Sequence, residues 1–219
     1  YRILEDLNGN LWISSYANGI FVANKQKLLQ SDSSDIYLAE KHYELLGAKT
    51  LAMDKNGNIW TVLRNRLIKI ISGSNKILDV PYTNEDTSPL ISVIYCDKDG
   101  YVWCGINGGV IRLDSQTHTY EYWTDEALRN KAPERIFDTD HYLCLVAHGV
   151  LCLLDKYTRT WNEYALNVAV NCAFYDFETK EIVLGGNGKL VTFALPDIQS
   201  DRVKPKLLFS DFRVEGERI

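Results

Sequence analysis

The sequence predicts an all-β protein built from β-propeller blades, each of them a sheet of four antiparallel strands. Three observations support this fold class. A motif of the form Asp-x-Asn/Asp-Gly-x-x-Trp returns along the chain, turn residues recur at fixed distances from it, and helical periodicity is nearly absent. The motif is complete at Asp6, Asp54 and Asp97 and degenerate at Asp138 and Asp176.

The spacing of the motif divides the chain into five repeats. Successive copies lie 48, 43, 41 and 39 residues apart, measured between Trp12, Trp60, Trp103, Cys144 and Val183. Four short strands joined by tight turns fill a repeat of this length. We therefore predict five blades within residues 1–202, at 1–47, 48–88, 89–132, 133–166 and 167–202.

Each blade is predicted to begin with an apolar strand, such as 50–53 or 90–95, that ends at the motif aspartate. The Asn-Gly or Asp-Gly that follows favours a tight hairpin, and the Trp strand comes next. A second turn, such as 107–109, allows a positive φ and returns a third strand. A polar strand rich in aromatic residues, such as 119–123, completes the blade. The inner strands are apolar at successive positions, which indicates burial on both faces, and the one helical turn that we predict lies at 125–129.

Composition excludes several classes of protein. The chain has 24 basic and 29 acidic residues, so its net charge of −5 provides no general attraction for nucleic acid or for an anionic membrane. No apolar run is long enough to span a membrane, and the four histidines and five cysteines are not spaced as metal ligands. The turn at Asp54 lacks the longer ligand series of a calcium loop, so a hairpin is favoured there. We predict neither a metal nor a cofactor.

The pattern D-x-x-G-x-x-W-x-G followed by N-G-G-x-x-R-L-D is clearest at residues 97–114. It resembles the two-component regulator propeller repeat, arrays of which form the periplasmic sensor regions of hybrid histidine kinases in Bacteroidetes. The resemblance extends over residues 3–195. It implies a periplasmic, non-catalytic propeller that senses glycan-derived oligosaccharides, in a full-length protein that is a histidine kinase. Because propellers of that family usually have seven blades, it also implies that these five repeats are a fragment of one.

The tail from residue 203 departs from the blade pattern. Lys204 and Pro205 lead an apolar stretch that looks like the first strand of the Ig-like domain that follows the propeller in this family. The resemblance therefore implies that 203–219 is a linker and the first strand of a following domain, and that 207–214 leaves the fifth blade. A second interpretation stays open, in which this segment closes the fifth blade, because no polar fourth strand is evident after Leu195.

Two other classes of function are alternatives to ligand sensing. One is a propeller glycosidase or polysaccharide lyase, and the other is a protein-interaction scaffold. The Asp-Gly-Trp turn is similar to the Asp box of sialidases, which need converging arginines, a tyrosine nucleophile and acidic partners. The inner strands contain Tyr95 and Arg135 but no set of three arginines, so we do not expect an enzyme.

The candidate ligand-binding residues are Arg64, Arg66, Arg129 and Lys131. In a four-stranded blade, the second turn and the connection to the next blade lie on the same face, which predicts a shared cationic rim. Guanidinium groups bind carboxylates and sulfates through paired hydrogen bonds, so the rim would suit a carboxylated or sulfated sugar. The alternative is a solvated rim of scattered charges.

The expected partners follow from the same arguments. An oligosaccharide is the expected ligand, whereas nucleic acid and direct membrane insertion of this fragment are not expected. If no further blades complete the ring, the two end blades expose apolar faces, and we expect self-association to cover them.

Overall fold

Small antiparallel sheets follow one another along the chain and form a β-propeller, which confirms the predicted fold class. The computed structural model describes residues 2–30, 39–83, 89–139, 141–166, 169–186, 188–194, 213–214 and 217–218. Four sheets have four strands each, in the order in which the strands occur in the chain. Within the described residues the fifth sheet has three strands. Within each sheet, the strands pair with their sequence neighbours in antiparallel orientation.

The strand bounds are as follows. Blade 1 contains β1 (Arg2–Glu5), β2 (Asn10–Ser15), β3 (Gly19–Asn24) and β4 (Ala39–Tyr43). Blade 2 contains β5 (Ala48–Met53), β6 (Ile59–Leu63), β7 (Arg66–Ile70) and β8 (Ile77–Val80). Blade 3 contains β9 (Val93–Cys96), β10 (Tyr101–Ile106), β11 (Gly109–Asp114) and β12 (Tyr120–Thr124). Blade 4 contains β13 (Arg135–Asp138), β14 (Tyr142–Ala147), β15 (Val150–Asp155) and β16 (Trp161–Ala165), and blade 5 contains β17 (Cys172–Asp176), β18 (Glu181–Gly186) and β19 (Lys189–Ala194).

The first strands of successive blades contact each other, β1 with β5, β5 with β9, β9 with β13, and β13 with β17. All of them start on the same face, because each blade is an up-and-down sheet whose fourth strand leads to the next first strand. We call this the upper face. It also carries the turns between second and third strands, whereas the motif turns lie on the lower face.

Burial on both sides of a blade explains why the inner strands are apolar at successive positions. All residues of β14 and β15 are buried. In β14, Leu143 and Leu145 pack towards blade 3, whereas Cys144 and Val146 pack towards blade 5. Adjacent side chains of a strand point to opposite faces, so each blade contributes alternate residues to two separate cores.

In the first three blades an aspartate carboxylate joins the motif turn to the Trp strand. The indole N–H donates to this carboxylate, in the pairs Trp12–Asp6 at 2.8 Å, Trp60–Asp54 at 2.9 Å and Trp103–Asp97 at 2.7 Å. The other carboxylate oxygen accepts backbone N–H groups of the turn, as from Asn56 and Asn58 at 2.9 and 3.0 Å in blade 2. The aspartate therefore satisfies donors that the hairpin would otherwise bury without partners.

Blade 4 replaces the tryptophan with a buried ion pair. Cys144 stands at the Trp position, and Nζ of Lys156 lies 2.7 and 2.9 Å from the two carboxylate oxygens of Asp138. Their side chains are 7% and 5% exposed. Burial raises the pKa of Asp138, and the bonded ammonium of Lys156 opposes that rise. In blade 5 the Asp176 carboxylate accepts N–H groups of its own turn, from Glu178 and Thr179.

The glycine that opens the third strand of blade 3 is required by close packing. A Cβ at Gly109 would lie 2.2 Å from the carbonyl oxygen of Trp123 on β12, and the equivalent Gly19 has a φ of 83° and the same separation from the carbonyl of Tyr43. No side chain fits such an approach. In blades 1 and 3 this close approach is the structural reason for the glycine at the start of the third strand.

Helical structure departs from the sequence prediction in one place. The turn expected at 125–129 is present as a 3₁₀ turn at Glu126–Leu128. The helix α1 (Lys25–Gln30) was not predicted. It consists of good helix formers, and the side-chain oxygen of Asn24 accepts the backbone N–H of Lys27 at 3.1 Å as an N-cap. A helix of six residues is too short to produce a detectable periodicity.

The two end blades have exposed apolar residues. Ile3 of β1 is 69% exposed, and Phe174 and Leu190 of blade 5 are 52% and 71% exposed. Most of the tail at 203–219 lies outside the described residues, and its described part pairs β20 (Arg213–Val214) with β21 (Glu217–Arg218). The division into blades and tail stays a prediction. Among the described residues, no helix has the length and apolar character needed to span a membrane.

Asp97→Ala should lower the free energy of unfolding by about 2–4 kcal/mol, because it leaves the Trp103 indole N–H and the Tyr101 backbone N–H buried without an acceptor. Asp99→Ala, in the same turn at an exposed position, is the matched control and should change it by less than about 0.5 kcal/mol. Urea denaturation of both variants measures the difference. Equal losses would contradict the role assigned to Asp97.

Lys156→Met should cost about 3–5 kcal/mol at neutral pH, since it leaves the Asp138 carboxylate buried and unpaired. The pKa of Asp138 is already raised in the folded protein and should rise further in this variant. A raised folded pKa favours folding at low pH and the benefit is lost as the pH rises. The loss of unfolding free energy relative to wild type should therefore be smaller at about pH 4 than at about pH 7. The double variant Lys156→Met with Asp138→Leu should recover most of this lost stability. A deficit independent of pH would contradict this account.

Candidate functional site

The centre of the upper face is a depression formed by the starts of first strands from several blades. It has a volume of about 290 Å³ and is lined by Arg2, Lys49, Thr50, Ser92, Val93, Glu134 and Arg135. These residues come from, or directly precede, β1, β5, β9 and β13. We call it the central depression. Because first strands begin there side by side, residues far apart in sequence share one small space.

Arg135 is held in place by backbone carbonyls. Its Nε and Nη2 donate to the carbonyl of Asn171 at 3.1 and 2.6 Å, and its Nη1 donates to the carbonyl of Glu134 at 2.7 Å. Asn171 directly precedes the first strand of blade 5, so the guanidinium connects two blades. Three of its five N–H groups are used in this way.

Arg2 lies within electrostatic reach of Arg135. Partial burial of Arg2, and after it the positive charge of Arg135, lowers the pKa of Arg2. Among the described residues, no carboxylate forms an ion pair with Arg2 or Lys49. Glu134 is the one acidic residue among the described residues that line the central depression, and a carboxylate oxygen of Glu134 lies 3.3 Å from Nδ1 of His148. The depression therefore has an excess of positive charge.

A second depression adjoins the first and shares Lys49 with it. It has a volume of about 460 Å³ and is lined by Tyr16, Leu46, Gly47, Lys49, Arg64, Asn65 and Leu90. Tyr16 is 65% exposed and Leu90 is 73% exposed. Nζ of Lys49 lies 5.8 Å from the centre of the Tyr16 ring. We call this the aromatic depression, because the exposed Tyr16 ring lines it together with the cationic Lys49 and Arg64.

The four candidate residues from the sequence all lie on the upper face but do not form one cluster. Arg64 lines the aromatic depression, whereas Arg66 and Arg129 line two further depressions. Arg66 pairs with Asp79 at 2.6 Å and Arg129 pairs with Glu126 at 2.8 Å. Lys131 lies in the connection to blade 4, where its carbonyl accepts the N–H of Gly108 at 3.2 Å. Their role in binding stays a prediction.

Sequence reasoning missed Arg2 and Lys49. Their common feature is their position at or beside the start of a first strand, which the repeat alignment could have revealed. Tyr95, considered as a nucleophile, is partly buried on β9, and this burial together with the charges of Asp138 and Asp97 raises its pKa. That keeps the hydroxyl protonated. Within the described part of the chain, no group of three histidine, cysteine or acidic side chains could hold a metal ion.

Neither a protein-family model nor a curated protein matches the chain. Solved structures do. The extracellular domain of the hybrid two-component system BT4673 from B. thetaiotaomicron has a TM-score of 0.78 and 25% identity, covering 89% of this chain and 27% of that one. The extracellular domain of BT3049 from the same organism has a TM-score of 0.68 and 18% identity, covering 90% of this chain and 28% of that one.

Virginiamycin B lyase from Staphylococcus aureus shares the fold, with a TM-score of 0.62, 14% identity, 89% coverage of this chain and 69% coverage of that one. The chain spans about a quarter of the length of the two-component neighbours. The resemblance that the repeat motif predicted is confirmed: this propeller is similar to the extracellular domains of Bacteroides hybrid two-component systems.

Proposed function

We propose that this chain is an extracytoplasmic ligand-sensing propeller of a hybrid two-component sensor histidine kinase, located in the periplasm and responsive to glycan-derived oligosaccharides. The observation that carries the proposal is the pair of adjoining depressions on the upper face, where Lys49 joins the cationic centre to the exposed Tyr16 ring. Sugars are bound in this way, by charged and polar groups around their edges and an aromatic ring against one face. Similarity to extracellular domains of two-component systems supports the same function.

Binding is favoured over catalysis by the kinds of groups present. General acid–base cleavage of a glycosidic bond needs two carboxyl groups on opposite sides of the bond. Within the part of the chain that the structure describes, Glu134 is the one carboxylate that lines the central depression, and the residues that line the aromatic depression include none. Cationic groups and an aromatic ring are suited to binding an anionic sugar. The fold is shared with a lyase, but a shared fold does not imply a shared active site.

A panel of neutral, carboxylated and sulfated oligosaccharides should raise the melting temperature of the protein without forming product. We propose that the rim residues Arg64, Arg66, Arg129 and Lys131 contribute to this binding. The triple variant Arg64→Ala, Arg66→Ala and Arg129→Ala should then weaken the affinity for any ligand found, as measured by calorimetry. Unchanged affinity in the triple variant would show that the rim residues do not contribute to binding. Turnover of any sugar would contradict the proposed sensor function.

We further propose that the exposed faces of the end blades associate with other copies of the chain when no further blades cover them. Ile3→Asp with Phe174→Asp should shift sedimentation at high concentration towards the monomer, because both changes place a charge on an apolar contact. Leu29→Asp, at a residue 77% exposed on α1, is the control and should leave the profile unchanged. A wild-type protein that is monomeric throughout would contradict self-association.

A further inference from the structure

The cations of the central depression come from three blades and lack matching counter-charges. Arg2 belongs to blade 1, Lys49 to blade 2 and Arg135 to blade 4. Of the described residues that line the depression, Glu134 alone is acidic, and it lies beside His148. A site with three positive charges and one negative charge attracts an anion, since an anion reduces the repulsion among the like charges.

The hydrogen bonds of Arg135 leave donors for a ligand. Its three bonds to the carbonyls of Asn171 and Glu134 fix the plane of the guanidinium group. The two remaining N–H groups, one on each Nη, have no acceptor among the described residues. The Ser92 hydroxyl already donates to the carbonyl of Pro133 at 2.6 Å, so it adds no donor. Apart from the Thr50 hydroxyl, the side-chain donors that remain are therefore cationic, which suits an oxyanion better than a neutral hydroxyl.

The adjoining aromatic depression provides space for the rest of a ligand whose anionic group is bound in the central depression. Lys49 lines both depressions, and its ammonium stands over the Tyr16 ring at 5.8 Å. Tyr16, Leu46 and Leu90 are exposed, and none of them belongs to an apolar core. A ring attached to the anionic group would cover this apolar surface. Arg64 lines the same depression.

We propose that the central depression is an anion-binding site, in which Arg2, Lys49 and Arg135 bind one carboxylate or sulfate group of a ligand whose ring packs on Tyr16. The site deepens the proposed ligand-sensing function and rests on it for its biological meaning. The physical site can be tested without that function, because a simple inorganic oxyanion should bind to it.

Calorimetric titration at constant ionic strength with sulfate, trigalacturonate and neutral galactotriose tests the site. Sulfate and trigalacturonate should bind and compete, and galactotriose should bind more weakly. Arg2→Gln with Lys49→Gln should weaken both anions roughly 10- to 100-fold, as expected when one or two charge-assisted hydrogen bonds are lost. Lys76→Gln with Lys180→Gln removes the same charge from exposed positions on the lower face and should leave both affinities unchanged.

A further variant separates the two parts of the site. Tyr16→Ala should weaken trigalacturonate but not sulfate, because only the sugar reaches the ring. Arg135 is left intact, since its contact with Asn171 also supports blade 5. Circular dichroism of each variant checks that it is folded.

The outcomes distinguish the site from the function. Sulfate binding that the double variant loses, without any oligosaccharide binding, would support the anion site and count against the glycan-sensing function. Galactotriose binding as tightly as trigalacturonate and surviving in the double variant would overturn the anion site and leave ligand sensing intact. Failure of both anions to bind wild-type protein would also overturn the site.

Discussion

The carboxylate at the end of each first strand, buried in blades 2 to 4, makes the interactions on which the other parts of the structure depend. In blades 1 to 3 it accepts the turn N–H groups and the indole N–H of the following strand, and in blade 4 it pairs with Lys156. The turn, the register of the first hairpin and the position of the large buried side chain are fixed together. Because the same geometry recurs, the first strands of successive blades begin at equivalent places.

Equivalent strand starts are what make the central depression possible. Arg2, Lys49 and Arg135 are separated by dozens of residues, yet each stands at or next to the start of a first strand. Their charges are kept close by apolar cores between the blades, which cannot rearrange cheaply to let the cations move apart. The turns and the apolar cores thus hold these cations together although they repel one another. Clusters of like charge held in this way are typical of ligand-binding sites.

The sequence predicted the fold because turn chemistry is local. Asp97, Gly100 and Trp103 act within one hairpin, so their spacing carries the structural information, and Gly109 marks the next turn in the same way. The ion pair of Asp138 with Lys156 was not visible, because it joins residues 18 apart in place of a lost tryptophan. The central depression was not visible either, since its cations meet only when blades pack. The predicted rim residues Arg66 and Arg129 were found on the expected face, but their ion pairs with Asp79 and Glu126 depend on side-chain geometry that spacing does not reveal.

The central claim is that the upper face of the propeller has an anion site between Arg2 and Arg135. Its most direct measurement is a crystal structure of the chain grown with selenate, an anomalous scatterer that replaces sulfate. The account predicts an anomalous peak in the central depression, with selenate oxygens within hydrogen-bonding distance of both guanidinium groups and of Lys49. Anomalous peaks confined to the rim at Arg66 or Arg129, or an ordered central depression without selenate, would contradict it.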